Sequence, residues 1–183
     1  MHQRTADELT AHLDVLRAAP RDIGTLDMVV RRPAVDRREI LDQGVLDQAD
    51  GLVGDNWLDR ATSLAIAEGR HLEAQLNVMS ARMVQFLAPT PDEQALAGDQ
   101  LFLDLDISVA NLPAGTRVAI GDEAVIEVTA KPHNGCAKFT ARFGHDAMVF
   151  VNSDVGKALR LRGFNARVVS GGVIRPGDKV RQL

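Results

Sequence analysis

Between Leu101 and the C-terminus the chain is a succession of short apolar runs cut by turns, and this punctuation limits the fold more than any other feature. "LFLDL" (101–105) alternates in polarity. "RVAIGDEAVIEVTA" (117–130) reads as a hairpin turning at Gly121-Asp122, and "ARVVSGGVIRPGDKVRQL" (166–183) adds two further turns between apolar runs. Gly-Asp recurs at 54–55, 98–99, 121–122 and 177–178, each time at a plausible turn, so Asp55 is read as a turn former. Strands this short bury their faces only against one another or against helices. The expected fold is therefore α+β and β-rich, a barrel-like sheet with peripheral helices. Aromatic residues make up 4% of the chain and tyrosine is absent, so the core has to be built mainly from Val, Leu, Ile and Ala.

The helices that would flank such a sheet are marked in the sequence. Residues 5–19 predict a helix: Thr5 and Glu8 form a capping-box pattern, Leu9, Leu13 and Leu16 recur at helical spacing, and Pro20 follows. Residues 1–23 are accordingly an N-terminal helical extension. "TLDMVVRRP" (25–33) and "AQLNVM" (74–79) read as strands. "SARMVQFLA" (80–88) places Met83, Phe86 and Leu87 on one helical face, read as core. "TPDEQALAG" (90–98) is a short helix with Thr90 before Pro91 and Gly98 beyond its end. In the C-terminal part only "NSDVGKALRLRG" (152–163) interrupts the strands, as a helix from Ser153 to Gly163. His71 reads as structural.

The 183 residues carry a net charge of −4, unevenly spread. From residue 131 onward there are ten Lys/Arg against three Asp, a balance of +7, which leaves −11 on the rest. Such asymmetry often marks the half that meets an anion. The basic half has few aromatics for stacking and no nucleic-acid recognition motif, so a phosphorylated small cofactor fits better than DNA or RNA. No apolar run approaches the roughly 20 residues of a membrane span. The opening residues lack the apolar region of a signal peptide, and the single cysteine fits a reducing cytoplasm. "VSGGVIRPGD" lacks the strand–GxxxxGK–helix arrangement of a phosphate-binding loop.

That single cysteine, Cys136, sits in "TAKPHNGCAKFTARFG" (129–144) among Lys131, His133, Lys138, Arg142 and His145. A thiolate is the nucleophile and the metal ligand, and nearby positive charge favours that form. Pro132 and Gly135 disfavour a helix, which places Cys136 on a loop leaving the preceding strand, where functional groups tend to be displayed. His133 and Cys136 have metal-ligand spacing, but they supply only half of a structural zinc site. A Cys–His nucleophile pair is chemically allowed. An inert buried thiol stands beside these readings, because free cysteine is among the most buried residue types. Arg160 and Arg162 admit two roles, favourable interaction with a helix end or contact with an anionic ligand.

"GLVGD" (51–55), "QLNVMS" (75–80), "GDQLFLDLDIS" (98–108), "NLPAGTRVAIG" (111–121), "EVTAKPHNGCAKFTARFG" (127–144), "LRLRG" (159–163), "ARVVSGG" (166–172) and "IRPGDKV" (174–180), in that order, resemble a MOSC domain. This module is similar to the C-terminal part of molybdenum-cofactor sulfurase, and the resemblance spans residues 24–183 and is nearest to the small stand-alone bacterial members. It implies a barrel-like, cytoplasmic protein that binds the molybdenum cofactor (molybdopterin), with Cys136 as catalytic thiol and metal ligand. His133, Asn134, Lys138, Arg142, Arg160, Arg162 and Arg167 are the residues it implies around the pterin and its phosphate. The implied roles are an oxidoreductase or sulfur-handling protein, served by a redox or sulfur-donor partner, or else a persulfide carrier or cofactor store. No pyridoxal-phosphate domain precedes the MOSC-like segments, so that cofactor is not expected in this chain.

Overall fold

The computed structural model describes residues 3–183. Eleven strands are described: β1 (Ile23–Arg31), β2 (Glu39–Leu41), β3 (Gly44–Asp47), β4 (Gly51–Leu52), β5 (Leu76–Ser80), β6 (Leu101–Asp104), β7 (Arg117–Ile120), β8 (Ala124–Val128), β9 (Phe164–Ser170), β10 (Gly172–Ile174) and β11 (Lys179–Gln182). Seven of them close a barrel in the order β1-β6-β5-β9-β8-β7-β11, with β11 pairing back onto β1. The expected barrel-like sheet is thus a closed mixed barrel. Every ladder in it is antiparallel except β5–β6.

β1 is long enough to serve several neighbours. Its first residues pair with β11 (Ile23 opposite Arg181), its last with β2 (Arg31 opposite Glu39), and β6 runs along its other edge. The β1–β6 register shifts between Leu26 and Met28, an irregularity of the β-bulge kind. Outside the barrel, β10, β3 and β4 form a small second sheet.

The parallel β5–β6 pair needs a crossover. It is made by the helices α4 (Ala81–Leu87) and α5 (Pro91–Ala95). Ser80 caps α4 by accepting from the Met83 amide, and Thr90 caps α5 ahead of Pro91, so both starts were legible. The remaining helices are α1 (Ala6–Ala11), α2 (Leu13–Arg17), α3 (Ser63–Ala67), α6 (Ala137–Phe143), α7 (His145–Asn152) and α8 (Asp154–Ala158).

Strand periodicity sorts the apolar residues into two layers. In β6, Leu101 and Leu103 face the barrel interior with Leu26, Val78, Ile126 and Phe164. Phe102 faces outward beside Met79 of β5, against a helical layer built from Leu9, Met83, Phe139, Phe143 and Phe150. Aliphatic residues thus fill most of the barrel interior, while four of the six phenylalanines lie between barrel and helices.

Several local expectations are corrected. The helix over 5–19 is two short helices joined at His12. The capping box of Thr5 and Glu8 is present, and α1 docks on α7, where Asp146 Oδ2 accepts from the Ala6 amide at 3.0 Å. The helix after Ser153 ends at Ala158. Phe86 of the expected core face is only partly buried, sandwiched between the His12 ring at 3.8 Å and the Arg4 guanidinium at 4.4 Å. The largest correction falls on residues 137–143 and 145–152, which are helical. Phe139, Phe143, Ala147 and Val151 recur every four residues and form the buried face of α6 and α7. The influence of Pro132 and Gly135 ends at Cys136. Gly144, at φ 95°, then separates the two helices.

Candidate functional site

Cys136 lies where the loop from β8 enters α6, at the N-cap position, and it is exposed. Its carbonyl accepts from the Thr140 amide at 2.9 Å, and its side chain makes no capping hydrogen bond. The reading of Cys136 as a buried thiol is therefore excluded.

The loop that carries it, residues 129–136, is held from three sides. The Asn165 side chain donates to the carbonyls of Lys131 (3.0 Å) and Pro132 (3.1 Å). Asn152 grips Gly135 at both ends, accepting from its amide at 2.9 Å and donating to its carbonyl at 3.3 Å. His133 Nε2 lies 2.7 Å from Asp99 Oδ1, and Asp99 Oδ2 takes Arg162 Nη1 at 2.6 Å. A side chain on Gly163 would meet the His133 ring within 3.2 Å and the Val78 carbonyl at 2.0 Å. Glycine at 163 is what lets β9 and the loop approach so closely.

Asp99, Arg162 and His133 form a nearly sealed ionic cluster. Asp99 is fully buried and the Arg162 side chain is 7% exposed. Burial alone would push the Asp99 carboxyl upward, but Arg162 and His133 together hold it below the usual carboxylate range. Burial lowers His133, the attraction of Asp99 offsets this in part, and the Arg162 charge adds to the lowering. With Arg162 already neutralising Asp99, His133 stays an uncharged imidazole that donates from Nε2 to the carboxylate.

This gives a signed pH dependence. As pH falls below the ordinary histidine value of 6.5, the unfolded chain takes up a proton at residue 133 before the folded protein does, so stability falls. Above that value residue 133 contributes no pH dependence. His133→Gln is expected to flatten the stability profile between about pH 7 and pH 5 relative to the native protein. Urea unfolding across that range measures it, and equal slopes for both proteins would contradict the assignment.

A second buried pair, Arg32 and Asp55, also reaches the turn at residues 96–98. Arg32, 3% exposed, donates to Asp55 through Nε and Nη2, both at 2.8 Å, and the Arg32 amide binds Asp55 Oδ2 at 2.9 Å. Arg32 Nη1 also reaches Asn77 Oδ1 and the Gly98 carbonyl, each at 2.7 Å. Asp55, read from the sequence as a turn former, is the anchor of this network. Three successive carbonyls of the 96–98 turn thus accept from three arginines: Leu96 from Arg142 (2.6 Å), Ala97 from Arg162 (3.1 Å) and Gly98 from Arg32.

Arg38 and Arg60 complete this basic cluster, and neither was singled out in the sequence. Arg38 Nη2 and Arg142 Nη1 lie 3.6 Å from where a side chain on Gly98 would begin. Arg38 is half-buried, and its Nε is buried with no hydrogen-bond partner among the described residues. Burial, followed by repulsion from Arg142 and Arg32, holds Arg38 below the usual arginine range. The exposed Arg60 stands close enough to feel Arg32, Asp55 and Arg38. The available signal was "RRPAVDRR" (31–38), a basic run inside the acidic half that the charge split by halves obscured.

The other sequence-designated residues separate into three places. His133, Asn134, Arg160 and Arg162 line one cleft of about 530 Å³ beside the loop. Lys138 and Arg142, on α6, both face Asp36 Oδ1, at 3.4 and 3.5 Å. Arg167 lies on β9, paired with Glu127 at 2.7 Å, and lines a different cleft from His133. Arg160 takes φ 50°, a left-handed conformation that costs a non-glycine residue on the order of 1–2 kcal/mol. Its Nη1 donates to the Leu112 carbonyl at 2.5 Å, and its guanidinium lies 5.6 Å from the Phe164 ring centre. His71 stacks on Trp57 at 5.8 Å.

The fold is a closed mixed β-barrel that presents an exposed cysteine at the end of a tethered loop. The chain belongs to the MOSC domain family, whose model matches residues 73–181. Solved structures extend the likeness across nearly the whole chain. The YuaD protein from Bacillus subtilis superposes with a TM-score of 0.59 at 14% identity, covering 87% of this chain and 95% of that one. YiiM from Escherichia coli gives 0.52 at 18% identity, covering 87% and 69%. YiiM from Geobacillus stearothermophilus gives 0.52 at 14%, covering 89% and 73%. At these identities the likeness carries the fold alone. No curated protein matches the sequence. Among the described residues no helix is long and apolar enough to cross a membrane.

Proposed function

We propose that this MOSC protein binds the molybdenum cofactor, with the Cys136 thiolate as metal ligand, and works as a cytoplasmic oxidoreductase or sulfur-handling protein with a redox or sulfur-donor partner. The observation that carries the reading is the exposed Cys136 thiol at the start of α6, the helix that also carries Lys138 and Arg142. A soft thiolate suits a metal already held by dithiolene sulfur. Among the described residues no three of His, Cys, Asp or Glu gather to hold an ion. A metal at Cys136 would therefore bring its other ligands with it, as a pterin-bound molybdenum does.

The anionic part of the cofactor fits the arginine cluster. The buried, unpaired Nε of Arg38 and the mutual repulsion of Arg38, Arg142 and Arg32 leave positive charge that a phosphate would relieve. Arg38, Arg60 and Arg142 are assigned to hold it, with Lys138 at the rim. When bound, the metal supplies the redox chemistry. The chain's residues anchor the segment that carries the ligand: Asn165, Asn152 and the His133–Asp99 pair fix the loop that leads to Cys136. A persulfide on Cys136 is the alternative, favoured by an exposed sulfur in a chain with no second cysteine to resolve it.

Metal analysis after purification from a cofactor-producing host tests the reading. Native protein is expected to carry molybdenum and Cys136→Ser to lose most of it, while Arg38→Ala lowers occupancy with the thiol intact. Absence of molybdenum from the native protein, or equal content in Cys136→Ser, refutes cofactor ligation. A sulfur adduct by intact mass would then support the persulfide alternative.

A further inference from the structure

We infer that the cleft beside the thiol loop is a substrate site for a small apolar molecule bearing a carboxylate, a reading whose word "substrate" rests on the proposed cofactor role. At about 530 Å³ the cleft falls in the range of small-ligand sites. His133 and Asn134 form part of its wall, so it adjoins the segment that delivers Cys136. Its body is apolar, built by Val109, Pro132, Val151 and Phe164.

The polar side of the cleft has one sign. Lys131, Lys157 and Arg160 line it, and no carboxylate does. Arg162 also lines it, but its charge is answered by Asp99 outside the cleft. Lys131 and Lys157 have no acidic side chain within ion-pair distance among the described residues, unlike Lys138 and Arg142, which share Asp36. Arg160 holds an unfavourable backbone conformation where glycine would be at ease, and its side chain spans from the Leu112 carbonyl to the Phe164 ring. It braces the apolar wall and adds a third positive charge. A neutral or cationic ligand would leave these lysines unanswered. A dianionic phosphate would match the charge but leave the apolar wall uncovered. A carboxylate on a ring or short aliphatic body places its charge on the cationic side and covers the apolar wall as well.

Benzoate, with benzyl alcohol as the uncharged control, tests this by titration followed by amide chemical shifts. Benzoate is expected to shift amides around 129–134 and 156–164 and to bind at least tenfold more tightly than benzyl alcohol. Lys131→Met and Lys157→Met should each weaken benzoate about tenfold. Val109→Trp, at a side chain already 48% exposed, should block the cleft without disturbing the fold. Cys136→Ser should bind benzoate as the native protein does, so loss of molybdenum and loss of benzoate binding are read separately. No benzoate-specific shifts in this cleft, or unchanged affinity in both lysine variants, overturns the inference.

Discussion

Asp55→Ala is expected to cost about 3–5 kcal/mol of folding stability, the range for stripping one partner from a buried ion pair. The Asp55 side chain is fully buried and accepts from Arg32, from the Trp57 amide at 3.0 Å and from Gln100 Nε2 at 3.3 Å. Removing it leaves the Arg32 guanidinium, 3% exposed, inside the protein without its carboxylate, although Asn77 and the Gly98 carbonyl remain. Arg32→Met combined with Asp55→Ala should recover part of the loss, because the stranded charge goes too. Urea midpoints at pH 7 decide: a single-variant loss below about 1 kcal/mol would mean that water reaches Arg32.

The second large effect is expected at Asp99. Asp99→Ala strands buried Arg162 and removes the acceptor of His133, again for about 3–5 kcal/mol. The consequence reaches the site, because His133 is one of the three tethers on the Cys136 loop. On the proposed cofactor role, Asp99→Ala should loosen the loop that carries Cys136 and retain less molybdenum at temperatures where the variant is still folded. Asp99→Asn keeps the shape and loses the charge, and should fall between. The native contribution also has a pH limit: with its folded pKa held below the ordinary 3.8, Asp99 stabilises fully above about pH 4 and progressively less as acid protonates it. Full molybdenum retention in a destabilised but folded Asp99→Ala protein would show that the loop does not depend on this tether.

How much of this was legible in the sequence depends on the range of the interaction. Period-2 runs and Gly-Asp turns predict the strands, since a strand's two faces are written locally and a tight turn needs particular residues. Caps such as Ser80 and Thr90 are equally local. The helices after Cys136 are masked by Pro132 and Gly135, whose effect ends at Cys136, although the four-residue spacing of Phe139, Phe143 and Ala147 marks a helical face. The partners of Asp55 and Asp99 were not legible. Both acids sit in Gly-Asp dipeptides like those of ordinary turns, and only the barrel brings Arg32 and Arg162 to them from 23 and 63 residues away. Likewise Lys138, Arg142, Arg160 and Arg167, neighbours in a basic half, are distributed by the fold to different faces.

The barrel's seam has a consequence for the order of folding. Ile23 lies opposite Arg181, so the ladder that closes the cylinder joins the first strand to the last, whereas β7–β8 is a local hairpin. Closing so long a loop costs entropy that only finished neighbouring strands repay, which makes the seam a late event. Until it forms, the aliphatic interior lies open along one side, and the strip from Lys179 to Gln182 acts as the stave that turns an open sheet into a vessel.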